Sequence, residues 1–136
     1  MTVVAYIGHA VGEKNVELFD LRRGDNIANS IDWVRFLRTT TPFAICYPSF
    51  VYLAAVDETA YQPRSFVDQL EILTRCDVYV PLGGILSPHM KAEWRHAESR
   101  KIPILDLLYL GRVPPWYRKD AVSKEIINLA DNLGLN

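Results

Sequence analysis

A single α/β domain, with a doubly wound, mostly parallel sheet of four to five strands and helices on both faces, is the fold class this sequence predicts. Three observations predict it. Short runs rich in β-branched and aromatic residues alternate four times with longer segments of helical period. The runs are nearly continuous in apolar character, as strands covered on both faces are. Proline and glycine mark the boundaries, Pro48 closing one run and Gly83-Gly84 another.

The first strand is read at Thr2-Val3-Val4-Ala5-Tyr6-Ile7-Gly8, followed by a long polar loop over 9–24 with room for one helical turn. Asp25 or Asn26 can cap a helix running to about Arg38, with Ile27, Ile31, Val34 and Leu37 as one apolar stripe and Asp32, Arg35 and Arg38 outside. Phe43-Ala44-Ile45-Cys46-Tyr47 reads as the second strand, closed by Pro48; residues 49–62 are ambiguous. Pro63 opens a helix with Phe66, Val67, Leu70 and Leu73 inward, and Asp77 leads into a third strand, Val78-Tyr79-Val80-Pro81-Leu82. Ser87-Pro88 is an N-cap followed by proline at the first helical position, which starts a helix to about Lys101. Ile102-Pro103-Ile104-Leu105-Asp106-Leu107 reads as a fourth strand, with Pro103 marking its start or an edge. A last amphipathic helix runs from about Lys119 to Leu133 and carries Val122, Ile126, Ile127, Leu129 and Ala130. Right-handed crossovers would join these strands.

A chain of 136 residues makes one domain over 1–136, enough to bury roughly two-thirds of its unfolded surface. With 49% hydrophobic residues, 23% charged and a net charge of -1, nothing pulls it onto duplex nucleic acid or an anionic membrane. No stretch approaches the roughly 20 apolar residues that span a bilayer, and the opening segment lacks the basic leader and cleavage site of a signal peptide. Cys46 and Cys76 have neither metal-ligand spacing nor a disulfide framework, and read as reduced core residues of a cytoplasmic protein. Internal repeats and low-complexity tracts are lacking, and without a Gly-x-Gly-x-x-Gly fingerprint no cofactor is expected.

In a doubly wound sheet the ligand crevice lies beyond the carboxyl ends of the strands, where strand order reverses. If the first and third strands flank that point, Gly8-His9 faces Gly83-Gly84, and the helix start at Ser87 offers an anion site. Each crossover helix begins at that edge, which brings Asp68 and Glu93, both in second helical turns, toward each other. Two carboxylates over one crevice suit glycosidic chemistry, one as nucleophile and one protonating the leaving group.

On these residues the chain resembles the nucleoside 2-deoxyribosyltransferase family and its nucleotide N-glycosidase branch, over most of residues 2–110. The shared features are an opening strand ending Tyr6-Ile7-Gly8, an Asp nine residues before the Asp of the third strand (Asp68 and Asp77), and Ser87 six residues before Glu93. The resemblance implies a flavodoxin-like sheet and attack by Glu93 on the anomeric carbon of a nucleotide or nucleoside. Asp68 would assist release of the base, Tyr6 would orient the Glu93 carboxylate, and water or another base would capture the glycosyl-enzyme. Ser87, where transferases of free nucleosides tend to carry Asp, favours a nucleoside 5'-monophosphate, since an anionic side chain there would repel phosphate. Gly8, His9, Gly83, Gly84, Ser87, His89 and Met90 would bind substrate. His89 stands where glycine is common in the family and His9 where a small residue or proline is usual. By the same resemblance the protein is a homodimer or larger homo-oligomer, with Pro114 to Tyr117 a candidate contact segment.

Plainer readings stand beside these. A glutamate on a helix is most often solvated surface, Asp68 also suits a helix dipole, Tyr6 suits a strand core, and Trp33, Trp94 and Trp116 suit packing. His89, Glu93 and His96 share a helix face as metal ligands could, yet no further His or Cys joins them by sequence, and no metal is expected. A receiver domain would want an acidic cluster after the first strand, and a flavodoxin a Ser/Thr-rich loop; His9-Ala10-Val11-Gly12 is neither. The alternative function is a nucleotide-binding module without catalysis, acting as a sensor or sequestering protein.

Overall fold

The computed structural model describes residues 1–10, 17–50 and 63–135, with the backbone alone described for 17–24 and 63–65. Strands β1 (Val4–Gly8), β2 (Ala44–Cys46) and β3 (Val78–Pro81) alternate with helices α1 (Glu17–Thr40), α2 (Pro63–Thr74), α3 (Pro88–Ser99) and α4 (Lys119–Asn132). Short 3-10 turns occupy Leu108–Leu110 and Trp116–Arg118, and residues 48–50 are helical. The sheet is parallel and three-stranded, in the order β2-β1-β3. Tyr6 stands opposite Cys46 on one side and Tyr79 on the other.

Because strand side chains alternate between faces, the two sides of this sheet differ in content. Ala5, Ile7, Val78 and Val80 join Trp33, Phe36 and Leu37 of α1 and Val122, Ile126 and Ala130 of α4 in one apolar cluster. Tyr6 and Tyr79 point the other way, into a cluster with Leu73 of α2 and Ala97 of α3. Helices therefore cover both faces. Asp77 pins the start of β1, its carboxylate accepting from the Val4 amide at 2.8 Å while its own amide donates to the Val4 carbonyl at 2.8 Å.

Four expectations change. The fourth strand is reduced to a single parallel bridge between Tyr79 and Ile104, so among the described residues the sheet has three strands rather than four to five. Residues 103–107 still run beside β3, the Tyr79 amide donating to the Pro103 carbonyl and the Leu105 and Leu107 amides donating to Tyr79 and Pro81. Pro103 has no N–H to extend this ladder, and Asp106 accepts from the Leu108 amide at 3.0 Å, turning the chain away.

Helix α1 begins at Glu17 instead of Asp25, so residues 17–24 of the expected loop are helical, and Asp25 and Asn26 lie inside the helix where they cap nothing. Its deepest face is Asn26, Ser30, Trp33, Phe36, Leu37 and Thr40, rotated from the stripe read in the sequence. Ile31 and Val34 instead face β2, lining a groove of about 520 Å3 with Phe43, Ile45 and Phe50.

Val67 and Ile127 are exposed rather than inward. The buried faces of α2 and α4 follow Gln69-Leu73 and Val122-Ile126-Ala130, steps of four that leave both residues off the seam. The ambiguous stretch 49–62 falls mostly outside the described residues.

Candidate functional site

Parallel β1 is flanked by β2 and β3, so the crossover out of β1 goes one way and the one out of β2 comes back past it. Beyond the carboxyl ends of β1 and β3 lies the place where such sheets hold ligands. Tyr6 and Tyr79 are register partners there, with ring centroids 5.9 Å apart. Helix α3 enters above them because Gly83 and Gly84 both take positive φ, 88° and 72°, and turn the chain back from β3. Ser87 then caps α3, its Oγ accepting from the Met90 amide at 3.2 Å, with Pro88 in the first turn.

This entry carries Glu93 down onto the two phenols. The Tyr6 hydroxyl donates to Glu93 Oε2 at 2.6 Å, and the Tyr79 hydroxyl lies 3.2 Å from Oε1 and 3.3 Å from the Met90 carbonyl. Gly8 makes the second contact possible, since a Cβ at that position would stand 2.3 Å from Tyr79 Oη. The Tyr-x-Gly ending of β1 thus has a physical basis on both counts: one residue supplies a donor and the other clears space for its partner.

Glu93 is 1% exposed. Burial pushes its carboxyl up to about 8, against the opposing pull of the Tyr6 and Tyr79 hydrogen bonds. Both phenols are raised well above their ordinary value by burial and then by the charge of Glu93, so they remain protonated donors. His89, one turn before Glu93, is pushed down to about 4 by burial. Its Nε2 lies 3.7 Å from Glu93 Oε2, which near neutral pH is a contact between an uncharged imidazole and a largely protonated acid, not an ion pair.

Helix α2 closes the other side. Phe66 meets the His89 ring edge-on at 4.9 Å. Gln69 is fully buried, and its Oε1 accepts from Ser49 Oγ at 2.9 Å and from His89 Nε2 at 3.1 Å, which puts the imidazole proton on Nε2. Gln69 Nε2 is a buried polar atom with no hydrogen-bond partner among the described residues, a state that costs about 1–3 kcal/mol unless something polar meets it.

The structure therefore brings Tyr6, Glu93 and His89 together with Gly8 against Tyr79, while His9, Gly83 and Gly84 meet one another and Arg112 on the other flank of the strand ends. Asp68 is half-buried on α2 and makes no hydrogen bond with Glu93; its neighbour Gln69 accepts from His89. Met90 is core, and Ser87 serves its helix. His96, one turn further along α3, meets helix α2 instead, its Nε2 lying 2.7 Å from Thr74 Oγ1. Among the described residues no group of three or more His, Cys, Asp or Glu is placed to hold a metal ion.

Sequence reasoning did not single out Tyr79, Gln69 or Arg112. Tyr79 carried a usable signal, because a tyrosine mid-strand in a sheet covered on both faces must find a partner for its hydroxyl. Arg112 lies on the far side of the glycine turn. Its guanidinium donates to Asn26 and His9, and its carbonyl accepts from Asn29 Nδ2 at 2.8 Å and Trp33 Nε1 at 2.9 Å.

In chemical terms the site is a buried carboxyl poised near neutrality and held by two phenol donors. No protein-family model, curated protein or solved structure matches the chain. No helix among the described residues is long and apolar enough to cross a membrane.

Proposed function

We propose that this protein cleaves the N-glycosidic bond of a nucleoside 5'-monophosphate or nucleoside, with Glu93 as nucleophile. The observation that carries the reading is the double phenol grip on a buried carboxyl at the switch point of the sheet. Ionised, Glu93 would attack the anomeric carbon while the base departs with the bonding electrons and takes up a proton. The glycosyl ester would then pass to water or to another base. Tyr6 and Tyr79 would aim the carboxylate and share its charge. Asp68, on the helix packed beside His89, would assist base departure. The resemblance to the nucleoside 2-deoxyribosyltransferase family, which includes nucleotide N-glycosidases, supports this reading through Tyr6, Gly8, Asp68, Ser87 and Glu93. The same reading takes the three strands with 103–107 alongside as a small flavodoxin-like sheet. It takes the exposed Trp116 and Tyr117 as a contact in a homo-oligomer.

The test is chromatographic detection of free base from a panel of nucleosides and nucleotides. Wild type is expected to release base from at least one, and Glu93→Gln from none while keeping its fold. Failure of wild type on the whole panel would remove the enzyme reading. The near-complete burial of Glu93 favours a second reading, a nucleotide-binding module without catalysis. Tight nucleotide binding without turnover would select it.

A further inference from the structure

Among the described residues Arg112 is anchored by neutral partners. One guanidinium nitrogen donates to Asn26 Oδ1 and another to His9 Nε2 at 3.3 Å. His9 Nε2 also receives Asn29 Nδ2 at 2.8 Å, and His9 Nδ1 donates to the Ala10 carbonyl at 2.7 Å. Two donors on Nε2 and an acceptor at Nδ1 fix one neutral tautomer. Burial enforces the same state, holding His9 down at about 4. A neutral imidazole is thus used as an acceptor that steadies a cation.

Elsewhere the described arginine contacts include carboxylates, Arg75 with Glu71 and Arg118 with Glu125. Among the described residues no carboxylate comes within ion-pair distance of Arg112, although the charge of Asp25 acts on it from further off. Burial depresses this guanidinium from its ordinary value. Of its five N–H donors, those not given to Asn26 and His9 meet no acceptor among the described residues. A half-buried cation held in place with donors to spare suits a planar or tetrahedral oxyanion, which its fork can grip through two hydrogen bonds.

Its position completes the case. A Cβ on Gly84 would stand 2.9 Å from the Arg112 amide nitrogen, and one on Gly83 would stand 2.6 Å from His9 Nε2. The glycine turn is therefore pressed against this cluster. On the other flank of the same strand ends, Gly8 abuts Tyr79 Oη, which touches Glu93. Contacts run unbroken from Arg112 through His9 and Gly8 to Tyr79 and Glu93.

We propose that Arg112, oriented by His9 and Asn26, is the anion receptor of this crevice and takes the phosphate of a sugar 5-phosphate whose anomeric end faces Glu93. The anomeric half of this statement rests on the glycosidic reading above; the anion half does not. It also places the phosphate at Arg112 rather than at Ser87, whose Oγ accepts from the Met90 amide as the helix cap.

The experiment is a calorimetric or NMR titration of the protein with ribose 5-phosphate and 2-deoxyribose 5-phosphate, each against the unphosphorylated sugar, with inorganic phosphate as a third probe. Wild type is expected to prefer a phosphorylated sugar at least tenfold. Arg112→Gln should erase that preference, Arg112→Lys should keep part of it, and Ser87→Ala should retain it. Equal affinity of wild type for both forms of both sugars overturns the proposal, and that comparison needs no variant to fold. So does an Arg112→Gln protein that keeps the preference. Phosphate preference without base release from any nucleotide would therefore uphold the anion site and sink the glycosidase, and base release without phosphate preference would do the reverse.

Discussion

The two faces of the sheet are built from the same strands and serve opposite ends. On one, Ala5, Ile7, Val78 and Val80 meet Trp33, Phe36, Val122 and Ile126, and that cluster is apolar throughout. On the other, one residue along in each strand, Tyr6 and Tyr79 meet a carboxyl. Apolar burial stabilises in proportion to area, about 25 cal/mol per Å². Burying Glu93 does the reverse, since its ionised form loses hydration that two phenols only partly replace. One face secures the fold, and the other holds a carboxyl in a state it would not have in water.

Substitutions can break that contrast from either side. Glu93→Ala should lower kcat/KM at least about 10³-fold, roughly 4 kcal/mol of transition-state stabilisation; steady-state base release measures it. Ile126→Ala on the apolar face should cost about 2–5 kcal/mol of stability, read by denaturant unfolding. The folded fraction should keep wild-type kcat/KM within about threefold, a loss too small to reflect a transition-state contact.

Glu93→Gln sharpens the contrast through pH. With its pKa raised from 4.5 to about 8, native Glu93 holds a proton that the unfolded chain has released between those values. Wild-type stability therefore falls as pH rises through that window and levels off above it. The glutamine variant lacks this loss. It should gain on wild type from pH 5 to pH 8, by on the order of 3 kcal/mol at the top, and a gain that is flat with pH would count against the raised pKa. His9 and His89, both pushed down to about 4, act oppositely below neutrality, with stability falling as pH drops from their ordinary value of 6.5 toward 4. Glu93→Gln leaves that acid limb in place.

Gly8→Ala should cost about 1–3 kcal/mol as overpacking, because Tyr79 must leave Glu93 to admit the Cβ. Tyr79→Phe should be milder, about 1 kcal/mol. Removing a donor that favours the ionised form, it should also raise the Glu93 titration midpoint above that of wild type. The two variants together ask whether Gly8 acts through Tyr79: if it does, adding Gly8→Ala to Tyr79→Phe costs less than Gly8→Ala alone.

Much of this was legible in the residues. Continuous apolar runs and proline-glycine punctuation located all three strands and the α3 start at Ser87-Pro88, because these depend on local chemistry. The polar-apolar period misled at α1 because its apolar residues divide between two surroundings: Trp33 and Phe36 are buried in the core with α4 and the sheet, while Ile31 and Val34 are only partly buried, beside β2. The fourth strand failed on two missing N–H groups, that of Pro103 at its start and that of Pro81 in β3, which leaves no donor for the Leu105 carbonyl; only the pairing of the two segments brings those prolines into one ladder. At the site, Tyr6, Gly8 and Glu93 could be named from the carboxyl-edge rule and motif spacing. Gln69 and Arg112 could not, since each reaches the crevice from a segment whose position only the packed chain decides.

The most direct test of a functional carboxyl on the phenol-lined face is a carbon-13 NMR titration of the Glu93 side-chain carboxyl, assigned by comparison with Glu93→Gln. A midpoint near 8 is expected for wild type. A midpoint near the ordinary 4.5 would mean that Glu93 is a solvated glutamate and that neither the burial nor the chemistry built on it holds.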